Sequence, residues 1–165
     1  MDALIGNWDR HNGNWGFLYD TAADTLQLAP VYDCGSSLYP QADDKLIGTI
    51  LANKKEQDYR VFEMPMSAIK MDGKKIKYYL FISSLSNADC NAALERIMPR
   101  IDMKKIDQIV DETPMISDLQ KDFYKTMLHK RKELILDHSL ELLQQRECKE
   151  KTVKIKKASK QGQER

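Results

Sequence analysis

The stretch from Leu4 to Leu38 constrains this chain more than any other part of it, because it combines turn-forming residues with two short strand-like runs. Trp15-Gly16-Phe17-Leu18-Tyr19 and Leu26-Gln27-Leu28-Ala29-Pro30-Val31-Tyr32 are rich in aromatic and branched residues that suit a pleated surface. Between them lies Asp20-Thr21-Ala22-Ala23-Asp24, whose polar ends favour a turn. The pattern predicts a β-hairpin with Asn14 at the start of its first strand and Asp33 at the end of its second. A hairpin brings the chain back to where it left, so Asn14 and Asp33 are expected side by side.

The residues at the two ends of this hairpin have a shared chemistry. Asp9 and Asn14 are five positions apart in Asp9-Arg10-His11-Asn12-Gly13-Asn14, and Asp33 follows the hairpin. Phosphoryl transfer needs an acid to orient and deprotonate the attacking hydroxyl, plus an amide and a second acid to hold the magnesium ions that neutralise phosphate charge. Asp9, Asn14 and Asp33 supply that set, and the D-x-x-x-x-N spacing equals that of a protein-kinase catalytic loop. An amide oxygen and a carboxylate are both hard ligands suited to Mg2+.

These residues resemble the HipA-like serine/threonine kinases, whose motifs read approximately N-x-D-x-H-x-x-N and then A-P-x-Y-D-x-x-S. Asn7, Asp9, His11 and Asn14 fill the first; Ala29, Pro30, Tyr32, Asp33 and Ser36 fill the second. The resemblance implies a mainly α fold, the helical large lobe of a protein-kinase-like fold with a short β-hairpin at its catalytic end. It implies Asp9 as catalytic base, His11 as a second catalytic-loop residue that organises the loop or contacts phosphate, and Asn14 and Asp33 as ligands of Mg2+ beside ATP as co-substrate. Arg10 either touches substrate or phosphate or is a solvated arginine, while Trp8, Trp15 and Phe17 read as core aromatics anchoring the loop.

Downstream, the hydrophobic pattern is helical. Leu46, Ile47, Ile50 and Leu51 predict a short helix followed by a charged loop through Asp58. Asp72-Gly73 marks a turn, and Ile76, Tyr79, Leu80 and Ser83 set up a helix ending near Asn87. Further helices are expected from Ala88 to Met98, from an Asp102 cap to Asp111, and from Ser117 to about Gln145. The resulting division is a kinase-like lobe over residues 1–148, with the catalytic and metal-binding segment at 4–38 and a helical remainder at 41–148. Residues 149–165 form a basic tail that is either helix overrun or disordered, and more often solvated than binding.

The formal net charge of +1 gives no global field pointing to nucleic acid, so direct nucleic-acid binding is not indicated. No run of about 18 apolar residues exists to span a bilayer, and Met1-Asp2-Ala3 opens on an acid, so a cytoplasmic protein away from the membrane is expected. Cys34, Cys90 and Cys148 are far apart and odd in number, which reads as reduced thiols.

A complete kinase also needs a nucleotide-binding lobe with a phosphate-covering loop and a lysine, and neither is legible here. The expectation is therefore the C-terminal part of a kinase that phosphorylates a protein hydroxyl, inactive without that lobe. Its partners would be a protein substrate and either a separate N-terminal lobe or an antitoxin-like protein. The alternatives are a fragment of a phosphatidylinositol-kinase-like enzyme, suggested by Asp9-Arg10-His11 and disfavoured by Cys34-Gly35 after Asp33, a small-molecule phosphotransferase fragment, or a non-catalytic partner-binding remnant.

Overall fold

The structure, a computed structural model, describes residues 1–163, with side chains through Val153. A single helical turn α1 (Asp2–Ile5) leads into the catalytic-loop segment and a 3-10 turn at Asn12–Asn14. Strands β1 (Phe17–Asp20) and β2 (Thr25–Leu28) then pair antiparallel, Phe17 opposite Leu28 and Asp20 opposite Thr25. The predicted hairpin is present but shorter than its β-compatible runs. Asn14 and Asp33 lie just outside the strands rather than at their ends.

The remainder is α2 (Asp44–Ala52), α3 (Lys54–Phe62), a second hairpin of β3 (Met66–Met71) and β4 (Lys74–Lys77), and then α4 (Tyr78–Ser83), α5 (Ala88–Ile97), α6 (Met103–Glu112), α7 (Asp118–Arg131) and α8 (His138–Gln163). The mainly helical lobe with a short hairpin at the end that carries Asp9 to Asp33 is what the sequence led us to expect. The caps explain the boundaries: Asp43, Asn87, Asp102 and Ser117 each accept a backbone N–H of the helix that follows. Ser117 and Gln120 form a reciprocal capping box on α7.

Two local expectations are corrected. The charged stretch after Ala52 is not a loop but α3, which Asn53 initiates by accepting the Lys55 N–H. Ile76 belongs to β4, not to the helix containing Tyr79 and Leu80, and Asp72-Gly73 is the tip of a β3–β4 hairpin. The three- and four-residue spacing of Ile76, Tyr79 and Leu80 spans a strand–helix boundary and imitates one helix.

The core forms where α2, α3 and α7 meet the segment after α7. Ile47, Ile50, Val61, Phe123, Met127 and Ile135 are each at most 2% exposed. Between α7 and α8 the chain widens into a π-helical segment, Lys132–Asp137, so the axis runs on without a break. In that wider turn Lys132 and Asp137, five positions apart, form an ion pair of 2.8 Å. Among the residues whose side chains are described, Leu143 is the last buried one of α8, and Cys148 to Val153 are all exposed, so this part of the helix leaves the body of the lobe. Of the tail, residues 149–163 continue α8, and positions 164 and 165 lie outside the described residues. Among the described residues no helix is long and apolar enough to cross a membrane.

Candidate active site

The loop from Gly6 to Asn14 is held from below. Gly6 ends α1 with φ +64°, the left-handed conformation that glycine adopts without a Cβ penalty, and its Cα faces Pro65 and the Arg131 guanidinium. Arg131 is 1% exposed and has no carboxylate partner among the described residues; it donates to the Ala3 carbonyl (2.7 Å) and the Arg60 carbonyl (2.7 Å). Burial lowers its pKa from the usual arginine range. Tyr78, under the same guanidinium, donates its hydroxyl to the Asn7 carbonyl. Thus α1, α3, α4 and α7 converge on the start of the loop.

Asn7 carries this frame forward. Its side chain is fully buried: Oδ1 accepts the Asp9 N–H (3.0 Å), and Nδ2 reaches Asp2 Oδ1 (3.3 Å) and the Asp33 carbonyl (3.5 Å). One amide therefore fixes the backbone of both Asp9 and Asp33.

Arg10 makes a second, stronger tie. Its guanidinium pairs with Asp2 (3.0 Å) and donates to the Asn14 carbonyl (2.8 Å) and the Tyr32 carbonyl (2.6 Å), with the Cys34 sulfur at 3.5 Å. Its hydrogen bonds to Asp2 outweigh the cost of burial and raise its pKa, so the charge is held. Both sequence readings of Arg10 are corrected: it is neither solvated nor directed at a substrate, being 7% exposed inside the loop. Because Arg10 grips the residues before β1 and after β2, the two ends of the hairpin segment are clamped together.

The clamp brings together what the sequence paired. Asn14 Nδ2 meets Asp33 Oδ2 across 19 residues of chain. Asn14 is buried at 2%, with its Oδ1 accepting the His11 N–H (3.3 Å), whereas the Asp33 carboxylate is exposed. Asp33 adopts φ +54°, a left-handed conformation that aspartate tolerates better than most residues and that turns the chain sharply after Tyr32. Tyr32 itself bonds the Gly13 carbonyl through its hydroxyl (3.1 Å), closing the hairpin end onto the loop.

Asp9 is exposed and makes no side-chain hydrogen bond among the described residues. The His11 ring accepts the Gly13 N–H at Nδ1 (3.0 Å) and caps the 3-10 turn that ends at Asn14. Trp15 and Phe17 are not core aromatics: they are 52% and 57% exposed and pack on each other edge to face at 5.8 Å. Trp8 does pack inward, tilted against Tyr39 at 6.0 Å. Leu18, Tyr19, Leu26, Leu28 and Val31 are exposed as well, so both faces of the β1–β2 hairpin present apolar side chains.

The donor set fits a magnesium ion. An exposed carboxylate without a cationic partner among the described residues stands beside a buried amide, and a half-turn of that amide would aim its oxygen the same way at the cost of its bond from the His11 N–H. Among the described residues no group of three or more His, Cys, Asp or Glu is placed to hold a metal. Two protein oxygens suit Mg2+, which keeps waters and takes its remaining ligands from substrate phosphates. Asp2, Arg10 and Asn7, which build the site, carried no sequence signal of that role beyond Asn7 standing in the first motif.

Comparison with known proteins finds a kinase. The chain is 51% identical over 137 residues to the serine/threonine-protein kinase CtkA of Helicobacter pylori, covering 82% of this chain and 42% of that protein. The crystal structure of a Helicobacter pylori proinflammatory kinase CtkA superposes with a TM-score of 0.82 at 48% identity, over 87% of this chain and 53% of that one. The chain thus spans about half the length of the relatives it matches, and its fold is that of part of a kinase. No family model matches the sequence.

Proposed function

We propose that this chain is the large-lobe, C-terminal part of a HipA-like serine/threonine kinase, transferring the γ-phosphate of ATP to a protein hydroxyl once a nucleotide-binding lobe is supplied. The observation that carries the reading is the meeting of Asn14 and Asp33, clamped by Arg10, with the exposed Asp9 tied to Asp33 through the Asn7 amide. The similarity of most of the chain to part of a named serine/threonine kinase supports it.

In this reading Asp9 receives the proton of the attacking hydroxyl, and its exposure leaves room for a protein substrate. Asn14 and Asp33 would hold Mg2+, which supplies charge neutralisation at the phosphates. His11 sets the loop through Gly13 rather than touching the reacting atoms. The residues on the exposed hairpin, Trp15 and Phe17 among them, are the surface on which a nucleotide-binding lobe would close. We assign this division of labour to a protein acting in the cytoplasm.

The test is phosphate transfer from ATP by this chain combined with a nucleotide-binding lobe, with Asp9→Asn as the decisive variant. The reading expects a loss of about 10²-fold or more, the usual scale for removing a general base. Transfer at the wild-type rate in that variant would refute the role given to Asp9.

A further inference from the structure

Away from the catalytic loop, the β3–β4 hairpin carries charge that nothing around it balances. Residues 66–77 hold four lysines and one acid, Asp72, in a chain whose formal net charge is +1. Lys70 stands directly opposite Lys75 across the hairpin, a like-charge pairing that costs stability. Asp72 and Gly73 both take positive φ, 51° and 77°, as the tight two-residue turn requires, so the turn fixes the register that opposes the two lysines. Lys77 is paired with Glu63, whereas Lys70, Lys74 and Lys75 are exposed and have no ion-pair partner among the described residues.

The hairpin is also an open sheet. It has two strands, and among the described residues Met66 to Ile76 make no backbone–backbone hydrogen bond except within it. An outer edge of this kind is a template for a further extended strand. Beside β4 lies an open cleft of about 600 Å3, in which Met71, Ile76, Leu80 and Phe81 stand among the lysines. Met71 and Leu80 are 52% and 56% exposed. Successive side chains of β4 alternate between faces, Lys74 and Ile76 on one and Lys75 and Lys77 on the other. A strand laid along β4 alternates in the same way, so apolar side chains on one of its faces meet Ile76 and the cleft while acids on the other meet Lys75.

Charge and shape together choose the occupant. Lysines on an edge repel a second copy of the same edge and admit an acidic strand. Glu133 and Glu141, exposed acids of this chain, lie on helical segments and supply no strand. Nucleic acid would answer the lysines but neither the backbone edge nor the apolar cleft. We propose that β4 is a docking edge for an extended segment of a partner protein in which acidic and apolar residues alternate. Tyr78, the residue after β4, donates its hydroxyl to the Asn7 carbonyl, so the docked segment is held at the foot of the catalytic loop. The docking does not rest on the kinase reading, because it is measured as binding to this chain alone.

Fluorescence anisotropy with the full chain and a short labelled peptide alternating glutamate with valine tests it. The wild type should bind the peptide, more weakly at high salt, and hydrogen exchange of the β4 amides should slow in the complex. Lys75→Glu should weaken binding about tenfold or more, because it sets like charges together in the complex. The same change puts an acid opposite Lys70 in place of a second cation, so the urea midpoint should not fall. Methylating the backbone nitrogens on the pairing edge of the peptide should weaken binding to a similar extent, since it removes the donors that strand addition needs. No binding by the wild type, binding unchanged in Lys75→Glu, a methylated peptide that binds as well as its parent, or exchange slowed elsewhere than in β4 would overturn the proposal. A DNA duplex or a phosphatidylserine vesicle that binds more tightly than the peptide and is lost in Lys75→Glu would overturn it too, by assigning these lysines to phosphate.

Discussion

Arg10→Met should unfold the loop that the functional reading depends on, and its cost can be worked from contacts. Arg10 makes one ion pair with Asp2 and two charge-assisted hydrogen bonds to the carbonyls of Asn14 and Tyr32. Methionine fills similar volume but leaves Asp2 without its cation and two carbonyls without donors. Breaking one side of a buried ion pair costs about 3–5 kcal/mol. The Asp2 side chain is 22% exposed, and water can solvate part of its charge, so the lower end, about 3 kcal/mol, applies here. Against a total stability of about 5–15 kcal/mol for a domain this is a large fraction.

Urea unfolding followed by circular dichroism measures it, with the midpoint falling and the slope unchanged. Arg10→Lys should lose roughly half as much, about 1.5 kcal/mol, because one ammonium cannot serve a carboxylate and two divergent carbonyls at once. A loss below about 1 kcal/mol for Arg10→Met would show that the guanidinium is not the clamp we describe.

Other consequences follow from the same frame. Gly6→Ala should cost about 1–2 kcal/mol, because the positive φ is left-handed and the new Cβ meets Pro65 and Arg131 at ordinary contact distance without clash; an unchanged urea midpoint would contradict it. Burial pushes the Tyr39 and Tyr78 hydroxyls up to about 12, from 10.0. The folded state therefore favours their protonated forms: the contribution is complete below pH 10.0 and is lost as pH rises to about 12. Urea midpoints between these limits should fall with pH, and Tyr78→Phe should flatten part of that fall. Phe123→Ala, at a site 0% exposed in the centre of the core, should cost about 3–5 kcal/mol by the same assay.

The meeting of Asn14 and Asp33 was legible in the sequence, and the residues that hold them together were not. That meeting could be read because a turn between two β-compatible runs returns the chain to where it left. Arg10 could not, since a buried arginine and a solvated one look alike until Asp2 and two carbonyls are placed around it. Trp15 and Phe17 misled because large aromatics are usually core, and a two-stranded hairpin has no layer packed on it among the described residues. Helix positions were largely readable from caps at Asn87, Asp102 and Ser117, which act locally. The β3–β4 hairpin was missed because its pairing depends on residues across a turn, and Ile76 also fitted a helical spacing.

The central claim is that Asn14 and Asp33 form the metal side of a phosphoryl-transfer site, and the chain alone can test it. Titrating Mn2+ into isotopically labelled protein, with paramagnetic broadening of backbone amides as the readout, reports where a divalent ion sits even at low affinity. The account predicts broadening centred on Asn14 and Asp33, displaced by excess Mg2+ and lost in Asp33→Asn while the fold is kept. Broadening spread over the acidic surface, or centred on the loop but unchanged in Asp33→Asn, would contradict it.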